Sequence, residues 1–380
     1  MTPTLYRYPW MDDDVAAYRE QVRRFIAAEL TPHLEGWRKQ GHIPRKTWRA
    51  MGELGFILPE LPECYGGSST SLAWQLVLQD ELARAELPAN LAVHSIAAHY
   101  ILDYGTEEQK SYWLPRLASG EDLAGIAMTE PGAGSDLKGL AMRARRNGDS
   151  YVLDGTKTFI TNGYTASVLV VACRTGDEGS KGVSLLIVPT ADLPGFAASR
   201  FEKIGQHASD TAELSFDGVR VPASNLLGGT EGAGFGQLIS QLAFERMLLA
   251  VPSAAVIERA LELTTAHAKD RKMFGGTLFD FQNTRFRLAE VATIAHIVRS
   301  FVNDCTQRLV DGTLDPEAAY MAKWWCSEQQ GKMLDECLQL FGGYGYMTEY
   351  PIARLYVDAR VQRIYGGANE VMKELIARSL

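Results

Sequence analysis

The spacing of hydrophobic positions along this chain changes twice, and the changes divide it into three regions. From Asp12 to about Glu121 apolar residues recur at helical spacing. Val15, Tyr18, Val22, Phe25 and Ile26 step by three, four, three and one, as one face of a helix requires. Pro32, Pro44, Pro59, Pro62 and Gly66-Gly67 punctuate the region, so it reads as several helices joined by turns. From about Asp122 to Gly228 the runs shorten to strand length. Asp154-Gly155 lies between Tyr151-Val152-Leu153 and Thr156 to Ile160, which predicts a two-residue hairpin. Val168 to Cys173 and Val183 to Val188 are apolar runs bounded by glycine-containing turns. Thr211 to Phe216 alternates and meets a second Asp-Gly pair, Asp217-Gly218. Past the glycine-rich stretch Gly228 to Gly236, which reads as a domain joint, the helical period returns and persists to Leu380. Leu288, Val291, Ala292, Ala295, Val298, Val302, Cys305 and Leu309 hold one stripe over many turns, as a bundle helix does. The expected class is α+β: helices over 1–121, a β domain over 122–228, and a helical bundle over 229–380.

Composition narrows the function. With 380 residues the chain has enough surface to bury two or three cores, and 46% hydrophobic with 22% charged residues is ordinary for a globular protein. A net charge of −8 argues against a broad nucleic-acid surface, which needs clustered Lys and Arg. The five cysteines are scattered without a CxxC pair, as expected of reduced thiols, and the seven histidines form no HxxxH or HExxH set, so no metal site is expected. No apolar run reaches the ~20 residues of a membrane span. Met1 to Met11 lacks a basic segment followed by an apolar one, so the expected location is cytoplasmic.

The richest segment is Ala127-Met128-Thr129-Glu130-Pro131-Gly132-Ala133-Gly134-Ser135-Asp136. Its glycines and proline force a tight turn, and its hydroxyls and backbone N–H groups suit a polar ligand. It lacks GxGxxG and no crossover helix follows, so it is not a dinucleotide fingerprint of the doubly wound kind. The decapeptide resembles the first signature of the acyl-CoA dehydrogenase family, closest to the long-chain type. Other segments agree with that family in order: Tyr104 to Lys110, Phe159-Ile160-Thr161-Asn162-Gly163, Asp210 to Leu214 with Val221-Pro222, Arg271 with Phe274-Gly275, Phe281-Gln282, and Gln339 to Gly343 followed by Tyr344-Gly345-Tyr346. The resemblance implies three domains (N-terminal helices, a central β-barrel or sandwich, a C-terminal four-helix bundle), FAD, a homotetramer, and electron-transfer flavoprotein as acceptor. It implies cofactor contacts from Met128, Thr129, Gly134, Ser135, Phe159, Ile160, Thr161, Gln339, Gly342, Gly343, Ala368, Asn369 and Glu370. Arg271, Phe274 and Gln282 would reach the flavin dinucleotide of a neighbouring subunit. Phe159 stands where many relatives have Trp.

The implied chemistry, α,β-dehydrogenation of an acyl thioester, needs a carboxylate to remove the weakly acidic α proton and donors to hold the thioester oxygen. Many members carry that base late in the chain, in a Tyr-Glu-Gly-Thr segment; here Tyr365-Gly366-Gly367-Ala368 stands in its place. A minority branch places the base on an earlier helix, which corresponds to Gln241 to Leu249, so the expected base is Glu245. Leu242, Phe244, Met247 and Leu248 make that helix apolar nearly all round, and Arg246 follows at ~100° around it, so it need not neutralise Glu245. Gly366 is expected to leave room for Glu245 and to offer its N–H to the thioester oxygen. Expected substrate contacts are Ser135, Val183, Ser184, Phe244, Arg246, Gly366 and Gly367. Glu130, Asp136 and Glu370 read as structural or cofactor-facing. The alternatives are a thioester on acyl carrier protein instead of coenzyme A, and a non-catalytic subunit of a hetero-oligomeric dehydrogenase.

Overall fold

The computed structural model describes residues 8–88, 90–176 and 179–380. Six helices come first: α1 (Asp13–Phe25), α2 (Leu34–Gln40), α3 (Arg45–Glu53), α4 (Leu72–Arg84), α5 (Asn90–Tyr104) and α6 (Glu107–Ala118). Asp12 caps α1 by accepting from the Val15 N–H, and Asp13 and Asp14 follow in the first turn, where the helix dipole favours negative charge. The face of α1 that packs inward carries Val15, Tyr18 and Val22. Thr106 and Gln109 form a reciprocal capping box on α6, and the Gln109 amide also donates to the carbonyls of Ser224 and Leu226. The Tyr104 to Lys110 segment therefore fastens the helices to the end of the β region.

The strands are β1 (Ala124–Ala127), β2 (Arg143–Asn147), β3 (Ser150–Thr161), β4 (Val168–Arg174), β5 (Val183–Pro189), β6 (Phe196–Arg200) and β7 (Thr211–Pro222). They make one sheet in the order β1-β4-β2-β3-β7-β6, with β5 also paired to β4. β4 is buried on both faces. Val168, Val170 and Ala172 join the core shared with the helices, while Leu169, Val171 and Cys173 join a second core inside the curled sheet. Neither Asp-Gly pair is a hairpin. β3 runs straight through Asp154-Gly155, and the β2–β3 turn is Gly148-Asp149, closed by the Asn147–Ser150 pair. Asp154-Gly155 lies opposite Asp217-Gly218 in β7, where the register shifts and Asp154 Oδ1 accepts the Gly218 N–H at 2.9 Å. A Cβ at Gly155 would fall 2.8 Å from Met142 Cγ. The dipeptides supply bulges that bend two long strands, a use of glycine that a local pattern does not separate from a turn.

A short helix α7 (Gly234–Ser240) leads into α8 (Leu242–Asp270). A tiny hairpin, β8 (Lys272–Met273) and β9 (Gly276–Thr277), then precedes α9 (Gln282–Val310), α10 (Pro316–Phe341), α11 (Pro351–Ala359) and α12 (Asn369–Ala377). α10 packs on α8, α9, α11 and α12. On α9 the stripe Leu288, Val291, Ala295, Val298, Val302 and Cys305 is buried, with Ala292 and Leu309 half-buried at its flanks. Buried Arg299 binds Glu258 and Asp80 at 2.8 Å each, clasping α4, α8 and α9 together. Among the described residues no helix is long and apolar enough to cross a membrane, and no cluster of His, Cys, Asp and Glu suits a metal ion.

Candidate active site

Every residue of α8 from Phe244 to Ile257 is buried, because α4, α9, α10 and α11 pack around this stretch. Glu245 lies in it at 5% exposure. The Tyr100 hydroxyl, from α5, donates to Glu245 Oε1 at 2.7 Å, and Arg246 Nη1 stands 3.3 Å from Oε2. The helical offset of 100° does not keep Arg246 away: its side chain is long enough to fold back onto its neighbour's carboxylate, so Glu245 is paired. Burial and the adjacent Glu245 carboxylate push the Tyr100 phenol well above its ordinary range, so it stays a donor. Phe244 packs its ring 4.5 Å from His99.

The Tyr365 to Asn369 loop closes over the same helix. Gly366 and Gly367 have φ of +58° and +85°, in the left-handed region where glycine is at ease. A Cβ at Gly366 would lie 2.1 Å from Leu249 Cδ1, and one at Gly367 would lie 2.6 Å from Met372 Cε and 3.2 Å from Arg246 Nη2. The room beside Gly366 is thus filled by Leu249, one turn along α8, and not by Glu245. From beneath, fully buried Lys323 donates to the Gly367 carbonyl at 2.6 Å and to Asn369 Oδ1 at 2.9 Å; burial and the nearby Arg246 push its ammonium down to about 7. Ser327 and Glu328 take up the rest of the Asn369 amide. The Asn369 side chain therefore holds the loop. The N–H groups of Gly366, Gly367 and Ala368 make no intramolecular hydrogen bond among the described residues and lead into the N-terminus of α12, beside exposed Glu370.

On the sheet side, buried Lys157 donates to the Met128 carbonyl at 2.9 Å and to Glu130 at 2.7 Å, and Glu130 also accepts the N–H groups of Ala141 and Met142. Glu130 is structural. The Thr158 N–H donates to Thr129 O, which brings Met128-Thr129 against Phe159. Phe159 is 67% exposed with φ +58°, an unusual conformation for an aromatic residue, at a bulge between Lys157 and Ile160. Its ring lies 5.4 Å from that of Phe201. Thr161 follows half-buried at the strand end, while Gly134 and Ser135 are exposed, with open space around Gly134. Asp136 caps the turn that follows them. The 203–208 loop ties this side to α11: Gly205 abuts the Val357 carbonyl, and the Gln206 N–H donates to Asp358.

Three expected contacts point elsewhere. Ile160 faces inward at 2% exposure and packs in the sheet's own core, because the bulge turns Phe159 outward and its neighbour in. Val183 is sealed in the core shared with the helices. Ser184 is sealed as well: its hydroxyl pairs with Thr175 at 2.6 Å and accepts the Gly232 N–H, and Gly234 sits tightly against its backbone.

A second group gathers at the far end of α8. Arg271 lies over the Tyr344 ring at 5.3 Å, Phe274 is 92% exposed with φ +48°, and Gln282, Gln339, Gly342 and Gly343 are exposed around them. At 1.5 Å per residue, Arg271 lies about 39 Å from Glu245 along the helix. The expected cofactor residues thus form two sets at opposite ends of the bundle.

Tyr100, Leu249, Lys157 and Lys323 were not anticipated. Lys323 left a trace, since it interrupts the largely apolar run Ala318 to Cys326; Lys157 sits between threonines, Tyr100 and Leu249 are ordinary residues of their helices, and only the packing brings these three to the site. The open aromatic Phe159 and the unbonded donors of Gly366 to Ala368 fit a flat, polar-edged ring system such as a flavin.

Three models of the acyl-CoA dehydrogenase family match this chain: the N-terminal domain over residues 12–121, the middle domain over 125–219, and the C-terminal domain over 232–380. The chain is 42% identical over 369 residues to the mitochondrial long-chain specific acyl-CoA dehydrogenase of Sus scrofa, covering 96% of this chain and 85% of that protein. The crystal structure of an acyl-CoA dehydrogenase from Geobacillus kaustophilus superposes with a TM-score of 0.95 at 43% identity, covering 98% of this chain and 99% of that one. A glutaryl-CoA dehydrogenase from Mycobacterium smegmatis in complex with FADH2 superposes at 0.91 with 30% identity, covering 97% and 95%. The chain belongs to the acyl-CoA dehydrogenase family, FAD-dependent oxidoreductases that act on the CH–CH bond of an acyl-CoA.

Proposed function

We propose that Glu245 is the base that removes the α proton of a saturated acyl-CoA, giving a trans-2-enoyl-CoA. The observation that carries this reading is a buried carboxylate on α8, held by Tyr100, beside a loop whose position 366 has no space for a side chain. Burial keeps water from the carboxylate, and Tyr100 and Arg246 fix its orientation. The free N–H of Gly366 holds the thioester oxygen as negative charge develops on it, and a neutral backbone donor costs no reorganisation there. Lys323, bonded to the Gly367 carbonyl and Asn369, keeps that loop in place. FAD, when bound, supplies the acceptor for the β hydride. Phe159, Met128, Thr129, Gly134, Ser135, Thr161, Ala368 and Glu370 would hold it, Phe159 by its exposed aromatic face and the others by polar groups. Ser135, Phe244, Arg246 and Gly367 border the acyl-CoA. The Arg271, Phe274 and Gln282 set serves the cofactor of a neighbouring copy in a homotetramer; the ~39 Å between the two sets supports this, since one chain does not gather both on one dinucleotide. An electron-transfer flavoprotein receives the electrons, in the cytoplasm. Likeness to a long-chain specific relative supports long, saturated tails.

Anaerobic titration with saturated acyl-CoAs tests the reading. The flavin absorbance is expected to bleach, and Glu245→Gln is expected to keep FAD and lose the bleaching. Bleaching that survives in Glu245→Gln removes the base assignment. Bleaching only with acyl carrier protein thioesters changes the carrier.

A further inference from the structure

Among the described residues two lysines are fully buried, Lys157 and Lys323. Lys157 has a counter-ion, Glu130, at 2.7 Å. Lys323 has none. Its ammonium donates to two neutral oxygens, the Gly367 carbonyl at 2.6 Å and Asn369 Oδ1 at 2.9 Å, and no carboxylate of the described residues forms an ion pair with it. The charged groups of the elements packed around it do not fill that role. On α8, Arg246 is a second cation, already matched by Glu245 at 3.3 Å. On α10, Glu328 faces Arg363 and Lys332 and accepts from the Asn369 amide. On α12, Glu370 is exposed, and Lys373 lies over the Trp324 ring. Glu245, Arg246 and Lys323 together leave one buried positive charge in surplus. A buried charge without a partner is costly unless an anion meets it.

The chemistry read for Glu245 brings such a charge. As Glu245 takes the α proton, the electron pair of the broken C–H bond shifts into the thioester and places negative charge on its oxygen, where the Gly366 N–H meets it. Glu245 becomes neutral in that step, so Arg246 and Lys323 then stand as two cations beside one anionic oxygen. Along the backbone the Gly366 N–H and the Gly367 carbonyl are less than two peptide steps of ~3.8 Å apart. Resting on that reading of Glu245 and Gly366, we propose that Lys323 is a positioning residue whose charge, acting through the Gly367 peptide, stabilises the anionic oxygen of the acyl thioester. Its hydrogen bond to Gly367 sets the loop donors in place. Its surplus charge favours an anion over a neutral thioester in the same seat. A cation at such range favours the charged form of an acid by roughly a factor of ten or more.

Two ligands of one length separate charge from position. 3-Oxooctanoyl-CoA has an acidic α proton, which it gives to the base to bind as an enolate anion; trans-2-octenoyl-CoA stays neutral. Both affinities are read by titrating the oxidised holoenzyme at about pH 6, where Lys323 is charged, since burial and Arg246 push its ammonium down only to about 7. Lys323→Gln keeps a donor beside the loop and removes the charge. It is expected to bind the enolate about tenfold more weakly and the neutral ligand as tightly as the unaltered holoenzyme does. Lys323→Met carries the same comparison if Lys323→Gln does not retain FAD. Equal weakening of both ligands means that the lysine only holds the loop, and overturns the proposal. Unchanged affinity for both overturns it as well. An unaltered holoenzyme that binds 3-oxooctanoyl-CoA without the ultraviolet absorbance of an enolate overturns it together with the reading of Glu245 and Gly366 beneath it.

Discussion

A carboxylate enclosed by apolar side chains keeps its charge only where donors meet it, and Glu245 has two, the Tyr100 hydroxyl and the Arg246 guanidinium. In the proposed chemistry Tyr100 matters because its 2.7 Å bond to Oε1, with Arg246 on Oε2, fixes the orientation of the carboxylate. Tyr100→Phe is expected to slow anaerobic flavin reduction by about 10- to 100-fold, in the range of one misplaced catalytic contact. Stopped-flow flavin reduction reads the effect, and an unchanged rate removes Tyr100 from the mechanism. Gly366 is legible in the sequence only as a missing carboxylate. Its left-handed backbone and the Leu249 methyl against it explain why no side chain fits there.

Between elements, the buried Lys157–Glu130 pair staples the segment after β1 to β3 and places Met128-Thr129 next to Phe159. Lys157→Met strands a carboxylate in the core. It is expected to cost about 3 kcal/mol in denaturant unfolding and to weaken FAD retention. Normal stability together with full flavin content would argue that the backbone donors of Ala141 and Met142 hold Glu130 unaided. Misreading Asp154-Gly155 as a turn has its reason at this scale. Asp154-Gly155 and Asp217-Gly218 satisfy the local geometry of a turn, but they lie opposite one another in a sheet, and the cross-strand bond from Gly218 to Asp154 makes them bulges.

Over the whole molecule, His94 joins the helices to the sheet. It is fully buried, its Nε2 lies 3.1 Å from the Leu117 carbonyl and its Nδ1 accepts the Ala124 N–H, and burial pushes it down from 6.5 to about 4. The unfolded chain therefore takes up this proton first as pH falls. Stability is fully present above about pH 6.5 and declines toward pH 4, by up to about 3 kcal/mol from this group. Urea unfolding at a series of pH values checks the slope, and His94→Gln is expected to flatten it in that window. At the far end of the bundle Phe274, near Arg271, is nearly fully exposed, and the proposed homotetramer would cover it. Phe274→Glu is expected to yield a smaller species in sedimentation, with reduced FAD content; an intact oligomer with full flavin would place the contact elsewhere.

Period and composition alone determined the succession of helices, strands and helices, since an apolar face recurs at 3.6 or 2 residues whatever packs on it. The run of residues around Glu245 already marked a buried helix, and the order of the signature segments carried the family. Tertiary structure alone decided which polar groups meet. Glu245 and Tyr100 lie 145 positions apart, and Lys323 and Gly367 lie 44 apart, so no local pattern links them. Orientation was decided there as well: the bulge at Phe159 turned Ile160 into the core, the core shared with the helices sealed Val183, and Thr175 and the Gly232–Gly234 backbone sealed Ser184. Spacing along a chain reports which face a residue occupies; what that face touches is a property of the packed molecule.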